Sequence, residues 1–224
     1  GFTNSTADWH DLVALQLSDD GKRYLTADGW QNLQYYYETI KVAGGADQTV
    51  ELAETIWGPV VRFADSPAYA LSWVGYASQA VNFNLLALER AATTEQALAL
   101  APSFGIPSQN LLAADSDGYI GWRLTNRIPK RILDDFDTAQ DWSDGRQGWL
   151  GFIDEAEHAS VSNTERLWTA NSRMIGGEFY NLIGSGGYDL GARGWQIQQS
   201  LNTLAQADEQ ALHAIQLDNR ALML

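Results

Sequence analysis

Apolar and polar positions alternate through much of the first third of the chain. Leu12-Val-Ala-Leu-Gln-Leu17, Arg23-Tyr-Leu-Thr26, Gln34-Tyr-Tyr-Tyr-Glu-Thr-Ile-Lys-Val42 and Thr49-Val-Glu-Leu-Ala-Glu-Thr-Ile-Trp57 alternate or are rich in β-branched and aromatic residues. Asp20-Gly21, Asp28-Gly29 and Gly44-Gly45 fall between them. A side chain that faces core and water in turn produces a period of two, and a tight turn needing positive φ selects Asp-Gly or Gly-Gly. The pattern predicts an antiparallel meander, continued by a strand over Tyr69-Ala-Leu-Ser-Trp-Val-Gly75 after the breaks at Gly58-Pro59 and Ser66-Pro67. Residues 1–79 are therefore expected to be mainly strands.

The period changes at Ala80. Phe83, Leu86, Ala87, Arg90 and Ala91 recur at helical spacing and an Ala-rich run follows to Leu100, which predicts helix over 80–105. Asn110 to Leu124 reads as a hairpin turning at Asp117-Gly118. Residues 134–166 are acidic and broken by Asp144-Gly145 and Gly151, so they read as a surface excursion. Leu167-Trp-Thr169 is a short β-run leading into Ala170-Asn-Ser-Arg-Met174 and the glycine turn Ile175-Gly-Gly177. The span 106–174 is thus hairpin, acidic loop and strand. Helices are expected from near Asp189 through Leu204 and again from Asp208, which makes 189–224 helical.

Composition narrows the partners. Hydrophobic residues make up 45% of the chain, with nine Trp, nine Tyr and seven Phe, enough large rings to bury a core. A net charge of -14 argues against nucleic acid or an anionic membrane surface, because both need a basic face. No apolar run approaches the roughly 18 residues of a membrane span, and no signal peptide is evident. Cysteine is absent, which excludes disulfides, thiolate metal ligands and a thiol nucleophile, and fits both cytosol and periplasm.

The chemical side chains form no self-contained site. His10, His158 and His213 lack metal-ligand spacing and read as surface or structural residues. No serine stands in a Gly-x-Ser-x-Gly elbow, and Gly184-Ser-Gly-Gly187 lacks the lysine of a phosphate loop, so it reads as a hinge. Asp115, Asp117 and Gly118 open like a calcium loop, but its twelfth position is Asn126 rather than Glu. Asn171 is the anomaly. Asn is depleted in strands, so it either turns the backbone at a strand end or aims its amide at something.

Five segments in order carry a resemblance. They are Gly1-Phe-Thr-Asn-Ser-Thr-Ala-Asp-Trp-His-Asp-Leu12, Thr55-Ile-Trp-Gly-Pro-Val-Val61, the block Pro107-Ser-Gln-Asn110 with Ala114-Asp-Ser-Asp-Gly-Tyr-Ile-Gly121 and Arg127-Ile-Pro-Lys-Arg131, then Thr169-Ala-Asn-Ser-Arg173, and Gln216-Leu-Asp-Asn-Arg220. Together they resemble the penicillin acylase (penicillin amidase) family of N-terminal nucleophile hydrolases. The resemblance implies an α+β fold, part of an αββα sandwich of antiparallel sheets with flanking helices. Residues 1–224 would be one interior fragment of the catalytic β-subunit domain. The implied activity is hydrolysis of an acyl side-chain amide through an acyl-enzyme, on a serine freed by self-cleavage. Gly1 has no side chain to attack with, so the serine is expected upstream and the fragment alone is expected to be inactive.

The resemblance also implies roles. Asn171 would donate its side-chain amide to the oxyanion, Asn4 its backbone N–H, and Arg193 would tune the catalytic amine. Some members hold a structural calcium on an Asp-x-x-Asp pair, matched here by Asp8 and Asp11 with the His10 carbonyl between them. No other cofactor is implied. Partners would be a small acyl amide, an α subunit and the remaining β-subunit segments, in the periplasm or outside the cell. Two rival readings are a secreted aromatic-rich β binding module and a non-catalytic family member.

Overall fold

The structure, a computed structural model, describes residues 1–62, 67–105, 107–132, 138–162 and 164–222. Its strands are β1 (Phe2–Asn4), β2 (His10–Ala14), β3 (Arg23–Thr26), β4 (Gly29–Asn32), β5 (Gln34–Ile40), β6 (Gln48–Thr55), β7 (Gly58–Arg62) and β8 (Ala68–Trp73). They continue with β9 (Gln109–Ala114), β10 (Ile120–Leu124), β11 (Pro129–Arg131), β12 (Trp149–Phe152) and β13 (Ser160–Ser162). The helices are α1 (Thr94–Leu100), α2 (Gly177–Ile183), α3 (Ala192–Thr203) and α4 (Glu209–Gln216). Among the described residues no helix is long and apolar enough to cross a membrane. The chain divides into two compact units, one of Gly1–Ala7, Ser78–Ile128 and Ile153–Leu224, the other of Asp8–Ala77 and Pro129–Phe152.

The second unit is built of strands. Its five-stranded sheet runs β2-β8-β7-β6-β5, beside the pairs β3-β4 and β11-β12. The alternating segments of the sequence form these strands, all antiparallel within the sheet. Gly58, at φ 137°, is where β6 turns into β7, and a Cβ there would lie 2.1 Å from the Leu71 carbonyl oxygen. The core gathers Val13, Ala70 and Trp142, with Leu15, Trp57 and Trp149 packed against them. Rings meet edge to face from Tyr24 to Trp57 at 5.6 Å and from Trp57 to Trp142 at 6.1 Å, an arrangement that suits the ring quadrupoles.

Trp142 corrects the reading of 134–166 as a surface excursion. Within it Trp142 and Ile153 are buried, β12 pairs with β11, and β13 joins the sheet of the other unit. Acidic and glycine-rich composition marked the exposed half of this segment and hid the anchors. Residues 134–137 and 163 lie outside the described residues.

The first unit carries the sheet β1-β9-β10-β13. The expected hairpin is β9 and β10, paired from Ala114–Ile120 to Asn110–Leu124. Helix α1 lies on it, with Leu98, Ala101, Phe104 and Leu111 forming the core. Gly121 makes room for that contact, since a Cβ would sit 2.4 Å from Leu98 Cδ1. Over 80–105 only α1 is α-helical; Asn84–Arg90 and Ala101–Ser103 are 3₁₀ turns. Phe83 and Leu86, the expected apolar stripe, are 86% and 62% exposed, while Leu85 and Leu88 pack on the core, three residues apart as a 3₁₀ turn requires. The strand expected at Leu167–Thr169 joins no ladder, and the glycine turn at 175–177 opens α2 instead.

Helix α3 starts at Ala192 rather than near Asp189. Asp208 caps α4, accepting the Ala211 N–H at 2.8 Å.

Candidate active site

Strand β1 lies at an edge of its sheet, and its register decides which groups face outward. Gly1 and Leu112 exchange both backbone hydrogen bonds, at 2.7 and 2.8 Å. Antiparallel pairs alternate between bonded and non-bonded, so Thr3–Asn110 is the next bonded pair and Asn4–Gln109 is not. The backbone N–H and C=O of Asn4 therefore make no ladder bond with β9.

Asn171 meets the Asn4 carbonyl. Its Nδ2 donates to the Asn4 carbonyl at 3.1 Å, and its Oδ1 accepts from Arg193 Nη2 at 2.9 Å. The same Nη2 donates to Asp189 at 2.6 Å. The guanidinium thus sets the amide orientation, oxygen toward the cation and nitrogen toward Asn4. One N–H of that nitrogen is spent on Asn4, and the NH₂ carries a second. Asn171 has φ 63°, a left-handed conformation that Asn tolerates better than most residues. It turns the backbone and aims its amide at once, so the two readings of this residue coincide.

The surroundings hold this geometry. The Asp189 N–H donates to the Asn171 carbonyl at 3.3 Å, and Ser172 bridges to Asp189. Gly186 N–H donates to the Thr6 carbonyl at 2.7 Å, with no room for a Cβ against the Ala7 carbonyl oxygen at 2.6 Å. Asn110, buried in β9, donates to Asn4 O and Thr3 Oγ1, both at 3.2 Å, and accepts the Trp122 indole N–H at 3.0 Å. Asp189 and Asn110 were not singled out as site residues from the sequence. The signals were present: an acid four residues before Arg193, and an Asn inside an apolar strand.

An apolar cleft of about 870 Å³ lies beside this cluster in the same unit. Leu112, Trp168, Ile197, Leu201 and Ile215 form much of its wall, and Arg193 lines it too. Arg173 stacks over Tyr180 at 4.9 Å, and burial pushes the Tyr188 hydroxyl up to about 12. Burial acts oppositely on His158, a base, lowering it to about 4, with Arg123 and Arg127 adding repulsion. This histidine is structural and stands apart from Asn171.

Asp8, His10 and Asp11 come together in the other unit, around a cation of the chain itself. Arg131, its side chain 5% exposed, donates through Nε to both Asp11 oxygens at 3.2 and 2.9 Å. Its Nη2 donates to the Asp8 carbonyl at 3.1 Å and reaches the His10 carbonyl at 3.5 Å. Calcium takes six or more oxygens. Here the carbonyls and carboxylates that would supply them are turned to a guanidinium. Among the described residues no three His, Asp or Glu side chains cluster as a metal site. These residues do not fit a calcium ion.

The architecture is α+β, antiparallel sheets with a few helices. The thermostable penicillin G acylase from Alcaligenes faecalis, 22% identical, shares this fold with a TM-score of 0.80, over 96% of this chain and 40% of that one. The chain belongs to the penicillin amidase family, which matches residues 1–224. The penicillin acylase 2 proenzyme of Pseudomonas sp. (strain SE83) is 28% identical over 179 residues, 77% of this chain. The chain spans 23% of that relative's length.

Proposed function

We propose that this chain is the oxyanion-binding part of a penicillin acylase-type amide hydrolase that cleaves a linear acyl amide. The carrying observation is the Asn171 carboxamide, fixed between the Asn4 carbonyl and the Arg193 guanidinium at a strand edge. Attack on an amide puts negative charge on its carbonyl oxygen, and two fixed donors on one edge stabilise that charge without reorganising. The remaining Asn171 N–H and the Asn4 N–H are those donors.

The nucleophile is a serine of the longer parent protein, outside these residues, and its α-amino group is the base. The serine oxygen attacks the carbonyl carbon while the amine takes the hydroxyl proton. Collapse of the tetrahedral intermediate expels the leaving amine, which receives that proton. Water then repeats the sequence on the acyl-enzyme and releases the acid. Arg193 disfavours the protonated amine by charge repulsion and so keeps it unprotonated, free to take the serine proton. The apolar cleft in this unit suits an acyl chain or ring.

By itself the 224-residue piece is inactive on this reading, and the parent protein works with its α subunit in the periplasm or outside the cell. The test is amide hydrolysis by the full-length parent, with and without Asn171. Loss of turnover in a folded Asn171 variant is expected; turnover by the 224-residue piece alone, or by a full-length protein lacking a serine at its processed end, would overturn the proposal.

A further inference from the structure

We propose that Arg131 supplies, from within the chain, the positive charge that closes the Asp8–Asp11 corner, so that this corner forms without a bound divalent cation. The side chains of Asp8, Asp11 and Arg131 are 9%, 12% and 5% exposed, so three charged groups share one dry corner. Two carboxylates side by side there would repel each other without a cation between them. Arg131 Nε spans both Asp11 oxygens, and its Nη2 lies 3.7 Å from Asp8 Oδ1 while bonding the Asp8 carbonyl.

The guanidinium is itself held. It stacks on the Trp149 ring at 5.9 Å, and the Trp149 indole N–H donates to Asp11, so the carboxylate is shared by cation and indole. Arg131 and Trp149 are partners in the β11–β12 pair, which fixes the stem of the arginine. A planar cation with several donors can bond a carboxylate and a main-chain carbonyl together. The His10 imidazole, 54% exposed, lies 3.8 Å from Asp8 Oδ1 at the solvent side and is not the closing charge. The arrangement joins the start of β2 to β11, segments more than a hundred residues apart, as a metal clip would.

Hydrogen exchange on the full parent protein tests this, read at segments 8–14 and 128–132 with EDTA and with added calcium chloride. Metal content is measured on the same preparation. The expected result is no stoichiometric calcium and exchange unchanged by either addition. Arg131→Met should raise exchange in both segments by about tenfold or more, and Arg131→Lys, which keeps charge but not the fork, by less. One calcium per chain with EDTA-induced loss of protection, or unaltered exchange in Arg131→Met, would overturn the proposal. Should Arg131→Met not accumulate, the calcium content and EDTA response of the unmodified protein still decide it.

Discussion

Arg193 and Asn171 are joined through one guanidinium nitrogen, which donates to the amide oxygen at 2.9 Å while also bonding Asp189. The guanidinium therefore fixes the orientation of the amide. With its oxygen fixed, the Asn171 amide can offer only N–H groups to the strand edge of Asn4.

Removing that amide should abolish most turnover. One oxyanion donor is worth about 2.7 to 4 kcal/mol, so Asn171→Gly and Asn171→Ala should each lower kcat by roughly 100- to 1,000-fold. At φ 63° the backbone suits glycine, so the Ala variant should be less stable than the Gly variant by about 1 kcal/mol. Steady-state kinetics beside thermal melts separate the two effects.

Arg193→Met should leave the melting temperature nearly unchanged, because the Arg193–Asp189 pair is more than half exposed and surface pairs add little. It should nevertheless cost about 10- to 100-fold in kcat by letting the Asn171 amide turn. Asp189→Asn should lose less, since Arg193 keeps its bond to Asn171. Equal losses of stability in both variants would point to a folding defect instead.

Asn110→Leu should destabilise by about 2 kcal/mol, for it strands the buried Trp122 N–H. Urea unfolding measures this.

Gly186→Ala would push the loop from Thr6 and Ala7, whose carbonyl oxygens lie 3.1 and 2.6 Å from the added carbon. A cost of about 1 to 3 kcal/mol is expected. Activity should fall with it, since Thr6 also donates to the Asn171 carbonyl at 3.5 Å.

His158 gives stability a pH dependence. Its folded value of about 4 lies below the ordinary 6.5, so between those values the unfolded chain binds the extra proton. Stability from this group is full above pH 6.5 and is lost progressively toward pH 4, by about 3 kcal/mol. Denaturant titrations across that range should show the slope, and His158→Phe should flatten it.

The sequence determined what is local. A period of two wrote β3, β5, β6 and β8 into the chain, Asp208 wrote the start of α4, and Asn171 stood out because no strand needs it. Tertiary structure decided the rest, because partner and register lie between distant segments. Nothing near Leu167–Thr169 reveals that the run joins no ladder, and nothing near Trp142 reveals that it is core. The pairing of β1 with β9 leaves the Asn4 N–H out of the ladder, although no residue in β1 encodes it. Arg131 likewise reads as one more basic residue until the fold sets it beside Asp8 and Asp11, where burial makes the cation and the carboxylates partners in place of water.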